Sequence, residues 1–198
     1  MNLINNDLDN KNYIDIENII NEIITNFNKS NLYELHRIDE QLLEHGMIDN
    51  NHEIIQLCVI TYTLRKLLSK KHITLNPKWK EISFKIVSVL EKAKDFYVDK
   101  HFEKYNLELD NIELIIKDTD KDFGYFVTNL VYDSRNKLAS SVYGYGLSLS
   151  KACALLGAKK EQVMSIIGST KMSDEDVAFK SISDRVKYIN KNDNLERT

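Results

Sequence analysis

The sequence predicts an all-α fold: a multi-helix bundle followed by a C-terminal helix-turn-helix and a closing helix. Three observations carry that prediction. Isoleucines and leucines recur at i, i+3, i+4 spacing through most of the 198 residues. One proline and six glycines leave little punctuation for a turn-rich β architecture. The apolar fraction of 42% and charged fraction of 29% are ordinary for a globular chain long enough to bury one substantial core.

The elements follow in order. Residues 1–12 are polar and read as a disordered N-terminus with no signal peptide. Ile16, Ile19, Ile20, Ile23, Ile24 and Phe27 predict a first helix over Asp15 to Asn28. Ser30 is a candidate N-cap for a second helix carrying Leu32, Leu35, Ile38 and Leu42, with Gly46 as its stop. A third spans Asn51 to Lys71 and should bury Ile54, Ile55, Cys58, Tyr62 and Leu68. Asn76-Pro77 reads as an N-cap followed by proline at the first helical position. That helix runs past Phe96, as far as Tyr105 at most, with Trp79, Ile82, Ile86, Val89, Leu90 and Ala93 inside. Leu109 to Ile116 could be a helical turn or a short strand; no partner strand is in sight, so helix is preferred. Asp120 would cap a helix reaching Tyr143. Together residues 13–143 form the bundle. Residues 144–190 form the helix-turn-helix region, whose last helix is capped by Ser173 and runs from Asp174 to Asn190. Residues 191–198 read as a disordered tail.

Charge and cysteine usage narrow the function classes. The net charge of -3 conceals a strong asymmetry. Residues 1–60 hold three basic and eleven acidic side chains, residues 61–80 hold six basic and none acidic, and residues 139–198 hold nine basic and seven acidic. Contact with nucleic acid would therefore be local. The acidic first sixty residues suit a protein partner or a second copy of the chain. Cys58 and Cys153 sit in apolar helical patterns and read as buried thiols. No run is long and apolar enough to span a bilayer, and a cytoplasmic location is expected. No cofactor and no metal is expected either.

Three patterns were candidates for chemistry. His52-Glu53-Ile54-Ile55-Gln56 resembles a zinc-protease helix, but Gln56 stands where the second histidine must be. Gly144-Tyr145-Gly146 lacks a preceding strand and a third glycine, and reads as a helix end and turn. Arg65 and His72, seven residues apart, resemble the catalytic pair of HEPN-type helical ribonucleases. That resemblance implies a histidine that moves a proton and an arginine that holds the phosphate's charge. The plainer reading is that Lys70, Lys71 and His72 are cations favoured at a helix C-terminus.

The segment with most internal grammar is YGYGLSLSKACALLGAKKEQVMSIIGSTK, residues 143–171. Ser148 or Ser150 can cap a short helix, Ala152 and Cys153 are small enough for a close crossing, and Gly157 can make the turn. Leu149, Leu156, Val163, Ile166 and Ile167 form the buried seam. Lys159, Lys160, Glu161, Met164 and Ser165 are left on the outer side of the second helix, where a major groove would be read. Lys151 and Lys171 complete the candidate DNA-binding set. The segment resembles the small prokaryotic antitoxin-like helix-turn-helix family through Tyr143, Gly146, Ser148, Leu149, Lys151, Ala152, Leu156 and Gly157. Ser150 and Cys153 replace that family's glycine and alanine. The resemblance implies binding of double-stranded DNA in a regulatory or toxin–antitoxin protein; the helical part before residue 143 lies outside it. The alternative is a helical protein-interaction module.

Overall fold

The computed structural model describes residues 14–122 and 129–172, with the side chains of residues 119–122 and 170–172 excepted. Among these residues every regular element is helical, in the order α1 (Ile16–Asn28), α2 (Leu32–Ile48), α3 (His52–Leu68), α4 (Lys71–Thr74), α5 (Trp79–Val98), α6 (Phe102–Asp122), α7 (Leu130–Gly144), α8 (Leu149–Leu156) and α9 (Lys160–Met172). The terminal segments 1–12 and 191–198 and the closing helix expected over 174–190 lie outside the described residues, as does the stretch through Phe123 and Phe126.

Helix α3 is the axis of the bundle. Every side chain from Ile54 to Leu64 is buried, and so are Leu67 and Leu68. A helix apolar all round must be covered all round, and α1, α2, α6, α7 and α8 supply that cover. The hydroxyls that this burial traps turn back onto the helix itself. Thr61 Oγ1 donates to the Leu57 carbonyl at 2.8 Å and Thr63 Oγ1 to the Val59 carbonyl at 2.7 Å, so neither is left unpaired in the core.

The helix boundaries differ from expectation for one recurring reason. Helices α1, α2 and α5 end on non-glycine residues with positive φ: Ser30 at 51°, Asn50 at 47° and Lys100 at 59°. Ser30 is thus the stop of α1, and Asn31 caps α2 by accepting from the Glu34 amide. Gly46 does not stop α2. It lies buried inside the helix, where a Cβ would meet Ile55 Cδ1 at 2.7 Å, so its hydrogen lets α2 and α3 close. Helix α3 stops at Leu68 rather than Lys71, because Ser69 and Lys70 break the chain before α4. Asn76 does cap its turn, accepting from the Lys78 amide, but the regular helix begins at Trp79. It ends at Val98, short of Tyr105, which belongs to α6. Leu109 to Ile116 is helical, within α6. Asp120 lies inside α6 and starts no helix.

Candidate functional site

The C-terminal hairpin is built on α7. Ser148 caps α8 by accepting from the Lys151 amide at 3.3 Å. Ala152 and Cys153 follow on the buried side, where their small size lets α8 lie close to its neighbours. Gly157 ends α8 in the left-handed region at φ 63°, ψ 33°, a conformation costly for any side chain with a Cβ. The amides of Gly157 and Ala158 both return to the Cys153 carbonyl. Helix α9 then starts at Lys160, packs on α7 and α8, and buries Val163 and Ile167 in the core. Of the expected seam, Leu149 and Ile166 are half-buried.

Two polar residues of α7 set the position of the turn, and sequence patterning did not single them out. Asn136 is buried and its Oδ1 accepts from the Lys159 amide at 3.2 Å, satisfying a donor at the start of α9. Arg135 donates from Nη1 to the Leu156 carbonyl at 3.2 Å and from Nη2 to Glu113 Oε1 at 2.5 Å. It thereby ties the end of α8 to α6. The signal was present in the sequence as polar residues at inward positions of a helix, but a single chain does not say which turn they serve.

The structure brings most of the candidate DNA-binding residues to one exposed surface. Lys159, Lys160, Glu161, Met164 and Ser165 are all exposed, Met164 to 52%. The Lys159 ammonium lies 5.6 Å from the centre of the Tyr132 ring, close enough for a weak cation–π attraction. Lys151 is exposed on the first turn of α8. Lys171 falls within α9, but its side chain lies outside the described residues. The outer face of α9 also carries Gly168, beside which a Cβ would meet nothing within 4 Å.

The Arg65–His72 pair is split between elements. Arg65 lies on α3, and its Nε donates to Asp39 Oδ2 at 2.6 Å, with the guanidinium 4.7 Å from the Tyr62 ring centre. His72 sits on α4, beyond the Ser69–Lys70 break, and is exposed. Asp39 is buried; His36 Nδ1 lies 3.2 Å from its Oδ1, so His36 is a partner of the core rather than a free surface group. Burial outweighs Arg65 and His36 and holds the Asp39 carboxyl above its usual range. Arg65 is thus engaged in neutralising a core carboxylate.

Cys58 and Cys153 are buried free thiols, as expected. Burial, reinforced by the Asp39 charge, pushes Cys58 well up; burial also raises Cys153, against the opposing pull of Lys160. Neither has the character of a reactive thiolate. The Gly144–Gly146 stretch is a helix end and turn, with Gly146 at φ 115°. Among the described residues no cluster of three or more His, Cys, Asp or Glu could hold a metal ion, and no helix is long and apolar enough to cross a membrane. No family model matches the chain, and no curated protein and no solved structure matches it either.

Proposed function

We propose that α8 and α9 form a helix-turn-helix that binds double-stranded DNA, in a protein of regulatory or antitoxin-like type. The carrying observation is the packing. Helices α8 and α9, joined through left-handed Gly157, both lie on α7, while among the described residues the outer side of α9 is exposed, with Lys159 and Lys160 at its start. A reading helix needs a fixed angle from its supports and a free face for the groove, and Asn136 and Arg135 supply the first requirement. Lys151, Lys159 and Lys160 supply phosphate contacts; Met164 and Ser165, a turn further on, suit thymine methyls and base edges. Glu161 works against phosphate contact, so the affinity of one hairpin is modest and a second copy would strengthen it.

The test is Lys159→Ala/Lys160→Ala, with folding checked by circular dichroism. Binding to all duplex sequences should weaken alike, and the slope of log K against log salt should flatten by about one to two units per chain. Changing Met164 or Ser165 should shift sequence preference more than affinity. A folded double variant with wild-type affinity and salt slope would remove the hairpin from the role of reader.

A second reading, a docking surface for a protein partner or another copy of the chain, is favoured by a different feature. Phe84, on α5, is 74% exposed and lines a surface pocket with Pro77 and Val87. An exposed large apolar side chain over an apolar pocket suits protein contact.

A further inference from the structure

The basic run between Arg65 and His72 takes no part in the hairpin, and one of its charges is accounted for by Asp39. Lys66, on the last turn of α3, has its ammonium 5.5 Å from the centre of the Tyr62 ring, and Lys70 stands at the start of α4; among the described residues no carboxylate pairs with either. Helix α3 packs along α7, the helix that carries Lys137, and the Lys137 charge is among those felt at Lys66. Lys66 and Lys137 are exposed and Lys70 is half-exposed. Among the described residues, no ion pair involves any of the three.

Their closeness registers on Lys66. Burial of its stem and then the charges of Arg65, Lys137 and Lys70 hold its ammonium below the usual range. Cations at the C-terminal end of α3 are partly offset by that helix's dipole. Lys137 has no such offset, because it lies in the middle of α7. The fold therefore gathers like charges that an anion would relieve.

The position of Lys137 ties this cluster to the hairpin. It directly follows Asn136, whose side chain holds the Lys159 amide, and it shares α7 with Tyr132, whose ring lies near the Lys159 ammonium. At 100° per residue, Lys137 falls on the open side of α7, between the strip facing α9 and the strip buried against the bundle.

We propose that Lys66, Lys70 and Lys137 form a phosphate-binding track that continues the Lys159–Lys160 surface, so that one duplex backbone is held by α9 and by the α3–α7 junction together. The proposal rests on the DNA-binding reading of α9 and supplies what that reading lacks. Lys151, Lys159 and Lys160 alone give a salt slope of about three, whereas six lysines give about five. A repeating polyphosphate is the ligand that relieves all six at once. Asp133, four residues before Lys137 and also exposed, opposes the track from the same side of α7.

The experiment is fluorescence anisotropy of the full chain with a labelled mixed-sequence duplex across a range of NaCl. Wild type should show a slope of about five per chain. Lys66→Ala/Lys70→Ala/Lys137→Ala should lower it by about two to three units and weaken binding at least tenfold at moderate salt. The corresponding triple change to arginine should keep the slope, and Asp133→Asn should tighten binding. If the alanine triple does not fold, Lys70→Ala/Lys137→Ala carries the test, with a fall of about two units. A folded triple variant indistinguishable from wild type, beside a weakened Lys159→Ala/Lys160→Ala, overturns the track and leaves the hairpin reading standing. The reverse pattern overturns the hairpin reading and, with it, the joint hold on one duplex proposed here. A wild-type chain that ignores duplex at low salt overturns both.

Discussion

Gly46 and Gly168 both lie inside helices, yet they occupy opposite kinds of surface. Gly46 is buried on α2, and a Cβ there would press on Ile55 of α3 at 2.7 Å. Gly168 is exposed on α9, and a Cβ there would meet open space. A helix-interior glycine costs up to about 1 kcal/mol relative to alanine. In the bundle the close approach of two helices offsets that cost. In the hairpin no contact among the described residues offsets it. The same division holds for whole helices: α3 is buried without interruption from Ile54 to Leu64, whereas among the described side chains of α9 only Val163 and Ile167 are fully buried.

The largest expected effect lies in the bundle. Arg65→Met removes the main partner of a buried carboxylate and should cost about 3 kcal/mol or more, read as the denaturation midpoint at pH 7. The pH dependence has a definite sign. The Asp39 carboxyl is already raised in the folded chain and rises further without Arg65. The folded variant then binds more protons than the unfolded one across that range, so its stability falls as pH rises through it. The gap between wild type and variant should therefore narrow in acid. A gap constant from neutral to acidic pH would mean that Asp39 is not the group left uncompensated.

The turn of the hairpin comes next. Gly157→Val places a β-branched side chain at φ 63°. Space is not the obstacle, since the nearest atom to a Cβ would be Arg135 Nη1 at 3.6 Å. The cost is backbone strain of about 2 kcal/mol, or a fall in Tm of roughly 4–8 °C for a chain of this size. An unchanged Tm would show that the turn does not hold this conformation in solution.

The smallest effect has the opposite sign and sharpens the contrast most. Gly168→Ala should raise Tm by about 2–4 °C, because α9 gains helix propensity without a clash. A fall in Tm would reveal a packed environment at Gly168 and erase the difference from Gly46. Weaker duplex binding by the stabilised variant would assign this face to the contact.

The elements were legible where side chains speak through periodicity. The run from Ile16 to Phe27, the inner side of α5 and the Ser148–Gly157 pair all declare themselves locally, because a cap or a 3.6-residue stripe involves only neighbours in the chain. Boundaries resting on backbone conformation did not. Ser30, Asn50 and Lys100 end helices at positive φ without being glycine, and Gly46 is a glycine that ends nothing. The choice between those outcomes depends on what lies opposite, Ile55 in the case of Gly46.

By itself, then, the sequence determined the all-helical class, the apolar stripes, the capped turn at Gly157 and the clustering of basic residues in 61–80. Only the tertiary structure decided that Arg65 neutralises Asp39 across two helices, that Asn136 and Arg135 hold the hairpin, and that α7, which carries Lys137, packs on α3, which carries Lys66. Each of these joins residues distant in the chain. Periodicity reports which side of a helix is buried, while the partner on that side is chosen by packing.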